Sequence, residues 1–262
     1  VCIAFAIAET FFIIAFLFSW YYNSATNINF RPVSYCVLIG YIFCFGGVVL
    51  GILQITMGGA GYHAETLRPE TVITMRKLVK AHEFVYVSSI LFPKLAILYL
   101  YLRLFASRTM HAVIYGTAVL VIATFLFGLF ASVFNCRPFS AFWNRKLEMH
   151  CGMNAMAVFR FYSIPNIASD AILILIPFPA LHRVRVGLLS KIGLYLTFLL
   201  MTFGIITAVL RFVSFLNVDL FQDITYLCVT TTSWTVIEPG VYLIAATMPT
   251  LRPLVRRIFR QA

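Results

Sequence analysis

Apolar residues run along this chain in seven long blocks, each separated from the next by a short polar connection. A hydrocarbon core about 30 Å thick takes roughly 20 residues of helix to cross. A spanning segment must also satisfy its own backbone hydrogen bonds, which leaves helices as the economical reading. The blocks predict spans at 1–22, 35–56, 83–104, 112–135, 157–180, 191–215 and 226–248. No repeat or low-complexity tract divides them, so the expectation is an all-α bundle of seven transmembrane helices forming a single domain over 1–262. The first block has no basic flank and no A-x-A-like cleavage site, and it reads as a span rather than a signal peptide.

The connection 57–82 is more than a loop. Gly58, Gly59 and Gly61 supply a turn, and Pro69 and Glu70 have the character of a helix start. Val72, Met75 and Val79 then share one face, with Arg76, Lys77 and Lys80 elsewhere. Two readings stand side by side: a short interfacial helix, or a charged extension of the third span.

Composition agrees with the pattern, for 61% of residues are hydrophobic and 11% charged, where a soluble domain carries roughly 25% charged residues. The net charge is +11, and orientation follows from where Lys and Arg lie. With the N-terminus outside, the inner connections hold Arg31, Arg103, Arg108, Arg183, Arg185, Lys191, Arg252, Arg256, Arg257 and Arg260. The outer ones hold Arg68, Arg76, Lys77, Lys80, Arg137, Arg145, Lys146 and Arg160, and the short one between the last two spans has only Asp219 and Asp223. This asymmetry favours N-out, C-in. The basic rim then faces anionic headgroups of membrane lipids. Because the charges are dispersed at helix ends rather than gathered in one patch, nucleic acid is not an expected partner.

Ionisable residues at mid-bilayer persist when they are paired or functional. Lys94, Asp170 and Glu238 each lie about twelve or thirteen residues into a span, and their three helices run in the same direction, so a 1.5 Å rise puts them at nearly one depth. Asn166 stands one turn before Asp170, and Trp234 one turn before Glu238. Pro93, Pro165 and Pro239 lie beside these residues and would free carbonyls. These five residues are expected to form an intramembrane polar cluster, either a structural lock or the lining of a ligand site. Arg211, near the outer end of the sixth span, is placed to reach Asp219 or Asp223, and Glu9 is a further charged residue in the first span.

Of six cysteines, Cys2, Cys36, Cys44 and Cys228 fall in spans, while Cys136 and Cys151 share one outer connection. A bridge between these two would close a loop of roughly 16 residues and contribute about 3 kcal/mol, on the oxidising side of the membrane. Trp143 between them suits the interface. His63, His82, His111, His150 and His182 are scattered without metal-ligand spacing, so no metal site is expected. There is no phosphate loop, no G-x-S-x-G elbow and no Cys-x-x-Cys, which removes the usual footholds of soluble-enzyme chemistry.

Several blocks resemble the fungal rhodopsin-domain family. They are the run from Lys94 to Arg103-Leu-Phe105; Cys136-Arg-Pro138 with Trp143 and Cys151; Asn166 to Asp170 ahead of Ile176-Pro-Phe-Pro179; and Lys191-Ile-Gly193 with Arg211. Trp234 to Glu238-Pro-Gly240 and Pro249-Thr-Leu-Arg252-Pro253 complete the likeness. The resemblance implies a seven-helix, receptor-like integral membrane protein, related to receptor-like proteins of plant-pathogen appressoria and to membrane proteins encoded in secondary-metabolite clusters. One departure is Arg31-Pro-Val-Ser34, where that family usually carries a Trp-Asp-Asp-like acidic motif.

Retinal binding is not implied, since a Schiff base needs a lysine and the one at membrane depth, Lys94, is on the third helix. No cofactor is expected. Arg103, at the inner end of the third helix, and Tyr242, in the hinge-like Glu238-Pro-Gly-Val-Tyr242, are candidates for a switch on the cytoplasmic face. The leading functional expectation is a receptor-like sensor of an external small or lipophilic molecule, in the plasma membrane with an endomembrane as the alternative, and with a cytoplasmic signalling partner. The alternative is a membrane-embedded enzyme or accessory protein acting on a lipophilic metabolite, with Asp170 or Glu238 as general acid beside Lys94. A transporter is disfavoured because the halves do not repeat.

Overall fold

A computed structural model describes residues 1–23, 31–105, 107–143, 150–151, 155–178, 188–217 and 223–261. Seven long helices account for most of it: α1 (Cys2–Asn23), α2 (Arg31–Thr56), α3 (Pro69–Leu104), α4 (Arg108–Phe134), α5 (Ala155–Leu175), α6 (Leu188–Asn217) and α7 (Ile224–Gln261). The first six are long and apolar enough to cross a membrane. Helix α7 is long enough, but its Thr and Ser run and Glu238 dilute its apolar character. The helices pack in chain order, with α7 against α1, α2, α3 and α6, and α3 against α2, α4 and α7. Helices α3 and α7 thus form the centre of the bundle.

Sidedness of the helices is the reverse of a soluble protein's. Phe11, Ile42, Val119, Phe130 and Leu199 point outward, whereas Glu9, Lys94, Asn166, Asp170, Arg211 and Glu238 are buried. Lipid tails welcome the first group, and the second must find partners inside.

The 57–82 connection resolves in favour of the extended third helix. Gly59 and Gly61 take φ of 66° and 101°, a region open to glycine. A short 3₁₀ turn at Ala64–Thr66 follows, and α3 then runs without a break from Pro69. Proline at the first turn costs no hydrogen bond. Met75 is fully buried against Ile224 and Cys228 of α7, so the apolar face seen in the sequence packs on the bundle rather than on lipid headgroups.

Beyond α4, Cys136–Arg137 pairs antiparallel with His150–Cys151, with Cys136 opposite Cys151. Cys136 is disulfide-bonded. Between them a 3₁₀ turn, Phe139–Phe142, folds over the start of α3: Phe139 sits edge-on to Trp143 at 5.3 Å, and Lys80 lies 4.9 Å over the Phe142 ring. Trp143 is held in turn under Lys77 at 6.0 Å. At this same end of the bundle, Asp223 caps α7 by accepting from the Tyr226 amide at 3.4 Å, and it also accepts from His63 Nδ1 at 2.7 Å and from the Ala64 amide at 3.1 Å.

Candidate functional site

One face of α3 carries Tyr86, Ile90, Lys94, Ile97 and Tyr101, all buried at helical spacing. Helix α5 presents Asn166, Ser169 and Asp170 at i, i+3 and i+4, and α7 presents Glu238 and Tyr242 one turn apart. These faces meet in the bundle core. Lys94 Nζ is 2.6 Å from Asp170 Oδ1 and donates to Asn166 Oδ1 at 2.7 Å, to Ser169 Oγ at 2.9 Å and to the Asn166 carbonyl at 3.3 Å. Asn166 Nδ2 donates to Glu238 Oε1 at 2.8 Å. Glu238 Oε2 accepts from Arg211 Nε at 2.9 Å and from the Tyr86 hydroxyl at 3.0 Å. Two ion pairs, Lys94–Asp170 and Arg211–Glu238, are therefore joined through Asn166.

Burying four charges costs several kcal/mol per ion before pairing. For Lys94, Arg211 and Glu238 the geometry answers that cost with short, charge-assisted hydrogen bonds, whereas Asp170 is met by the Lys94 charge at 2.6 Å without an aligned hydrogen bond to either oxygen. The Arg211 guanidinium also lies 4.5 Å over the Tyr86 ring and 5.5 Å from that of Phe215, and Lys94 lies 5.4 Å from the Tyr242 ring. Tyr242 reaches this position because its partner in α6 is Gly204, where an added Cβ would stand 2.8 Å from Cζ of the ring. The Tyr242 hydroxyl faces Asp170 without completing a well-aligned hydrogen bond.

The prolines act as their position requires. Pro93 leaves the Ser89 carbonyl without its helical donor, and Cys44 Sγ of α2 approaches it at 4.0 Å.

Several expectations need correcting. Arg211 pairs with Glu238 and not with Asp223, whose partner is His63; α6 continues to Asn217, so Arg211 lies more than a turn inside the helix and faces the core. Asp219 lies outside the described residues, as do Arg145, Lys146, Arg183 and Arg185, and the side chains of Cys151, Lys191 and the Arg252–Arg260 cluster are likewise not described. Tyr242 is not at the cytoplasmic face. Helix α7 runs from Ile224 to Gln261, which puts Tyr242 near its midpoint and on the Glu238 face, wholly buried. Arg103 is exposed at the end of α3 and donates to the Tyr99 hydroxyl at 2.8 Å. Trp234 is half-buried and makes no hydrogen bond among the described residues, so it stands outside the network although it is one turn from Glu238.

Tyr86 and Ser169 were not singled out in the sequence. Both carried a signal, since Tyr86 precedes Lys94 by two turns and Ser169 follows Asn166 by three residues.

A partly open cavity of about 80 Å³ lies on the Cys136 side of the network. Its walls are mostly apolar, with Phe142, Phe159, Tyr162 and Phe215 prominent, and Tyr86 and Arg211 belong to its lining. Glu83 also borders it, bonded to Lys80 and to the Ser132 hydroxyl. Gln54 links the other wall by accepting from Thr232 at 2.9 Å and contacting His82 Nδ1 at 3.1 Å. Beside Lys94 itself there is a void of about 10 Å³, the size of one water. Among the described residues no three of His, Cys, Asp and Glu are grouped to hold a metal ion.

The fungal rhodopsin domain profile matches residues 16–257. The chain belongs to that family. It is therefore an integral membrane protein with the family's seven-helix bundle. It is 35% identical over 263 residues to the polyenoic acids biosynthesis gene cluster protein Ba17b of Metarhizium anisopliae, covering 94% of this chain and 71% of that one. A SAT4 family membrane protein of Emericella nidulans is 27% identical over 208 residues, 78% of this chain and 52% of its own length. No solved structure matches.

Proposed function

We propose that this fungal rhodopsin-domain protein is a receptor-like sensor of a lipophilic small molecule, held N-out and C-in in the plasma membrane. The observation that carries the reading is the continuity between cavity and core. Tyr86 and Arg211 line the cavity and also hold Glu238, from which Asn166 leads to Lys94 and Asp170. A molecule entering from the Cys136 side would meet the first members of a hydrogen-bonded chain that joins α3, α5, α6 and α7. Differential contact with such an element is what lets a ligand shift a conformational equilibrium.

A second reading is favoured by the name of the Metarhizium relative, which places that protein in a biosynthetic gene cluster. In that reading the chain is an enzyme or accessory protein for a lipophilic metabolite. Incubation of the nanodisc-embedded protein with a hydrophobic extract of the producing fungus, followed by mass spectrometry, tests the two. A compound retained unchanged supports the sensor. A compound converted by wild type but not by Glu238→Gln overturns it in favour of the enzyme.

A further inference from the structure

The Arg211 guanidinium is only partly used. Its Nε is held by Glu238 at 2.9 Å, and the side chain is 3% exposed, yet Nη2 is buried with no hydrogen-bond partner. A buried donor in this condition carries a desolvation cost, and a larger one when it is charged. Arg211 lines the cavity of about 80 Å³, so a small acceptor group entering it meets the guanidinium that carries this unused donor.

Most other polar groups of that lining are engaged, the Tyr162 and Thr231 hydroxyls being neutral exceptions. Gln54, His82 and Thr232 bond to one another, Thr235 donates to the Thr231 carbonyl, and Glu83 is occupied by Lys80 and Ser132. The rest of the wall is aromatic or aliphatic. A guanidinium with an unused donor, in a cavity whose surface is mostly apolar, selects for a ligand with a single anionic end and an apolar body.

We propose that this cavity binds a lipophilic monocarboxylic acid, with its carboxylate on the Arg211 guanidinium and its apolar body against Phe159, Phe215 and Phe142. The inference rests on the sensor reading of the same cavity and names its ligand class. Arginine suits the task because its planar fork can serve two carboxylates at once, here Glu238 on Nε and the ligand on the Nη edge. The cavity is too small for a whole long-chain acid, so the headgroup sits inside and the chain extends through the open side.

The full chain in nanodiscs of zwitterionic lipid is titrated with decanoate, decanol and methyl decanoate, with empty nanodiscs as the reference. Decanoate is expected to bind saturably, and the alcohol and ester at least about tenfold more weakly, because neither offers a charged acceptor. Val158→Phe fills the cavity without altering any partner of Arg211. It is expected to keep the thermal midpoint and lose decanoate binding. Arg211→Gln combined with Glu238→Gln removes both charges together and should abolish the preference for carboxylate over alcohol. If that double variant does not fold, Val158→Phe still decides. Equal affinity for the three probes, all lost in Val158→Phe, overturns the carboxylate proposal and leaves the sensor cavity standing. Decanoate binding that survives Val158→Phe overturns the use of this cavity for either purpose. Absence of saturable decanoate binding overturns the carboxylate proposal.

Discussion

Asn166 and Glu238 meet across α5 and α7 at 2.8 Å, the amide Nδ2 donating to carboxylate Oε1, while the same amide's oxygen accepts from Lys94 at 2.7 Å. A single neutral side chain thus uses its donor for one ion pair and its acceptor for the other. Aspartate in its place would offer no donor to Glu238.

Replacing Asn166 with Leu should therefore weaken both pairs together. The expected cost is about 2–3 kcal/mol, since a buried carboxylate oxygen and a buried ammonium each lose a partner. Thermal unfolding in detergent, run as a double-mutant cycle with Glu238→Gln, checks this. Strict additivity of the two substitutions would show that the bond carries no coupling.

Lys94→Met alone should destabilise more than Lys94→Met with Asp170→Asn, because the single change strands a buried carboxylate. In soluble interiors breaking one partner costs about 3–5 kcal/mol, and in a membrane bundle a smaller figure is expected. Equal unfolding midpoints for single and double variants would remove Asp170 as the partner that matters.

Gly204→Ala is expected to be costly for its size. The added Cβ would lie 2.8 Å from Tyr242 Cζ and 2.9 Å from its hydroxyl, and overpacking of this kind costs about 1–3 kcal/mol. Tyr242→Leu in the same chain should recover part of the loss. A Gly204→Ala protein as stable as wild type would mean that α6 and Tyr242 are not held at this separation.

Outside the membrane-spanning part, Asp223 sits slightly desolvated, which opposes its ionisation. The donors around it prevail: His63, the Ala64 amide, Thr225 and the Tyr226 amide hold its carboxyl below the ordinary 3.8. A depressed folded value means that its contribution is complete above the unfolded value and is lost as pH falls through the folded one. Docking of the 57–68 segment onto α7 should thus persist at neutral pH and loosen below about pH 4. Hydrogen exchange at the Ala64 amide reads this directly. Asp223→Asn should show faster exchange at pH 7, and an unchanged rate would sink the assignment.

Orientation is checked at the tail. Arg252, Arg256, Arg257 and Arg260 should hold the C-terminus in the cytoplasm. A glycosylation acceptor fused after Ala262 is expected to stay unmodified, and its modification would reverse the topology.

The sequence carried the architecture because lipid demands long uninterrupted apolar helices, and all seven blocks correspond to helices. It also carried the membership of Lys94, Asn166, Asp170 and Glu238 in one cluster, because helix direction and a fixed rise convert chain position into depth. Partner choice was not legible. Depth alone cannot say that Glu238 takes Arg211 while Asp170 takes Lys94, since that depends on the rotation of α6 about its axis. Rotation also explains Trp234, whose one-turn spacing from Glu238 left its indole outside the network. Tyr242 was misplaced for another reason. The hinge-like motif drew it toward the inner face, whereas its place one turn from Glu238, wholly buried and facing Asp170, keeps it in the core of the bundle.

The two ion pairs have a consequence in the electrical domain. A unit charge moved across a membrane gains or loses about 2.3 kcal/mol per 100 mV. Lys94 with Asp170, and Arg211 with Glu238, cancel in pairs held at 2.6 and 2.9 Å. A displacement that carries these pairs as a unit transports no net charge. Rigid movement of the paired network is therefore not driven by the membrane potential.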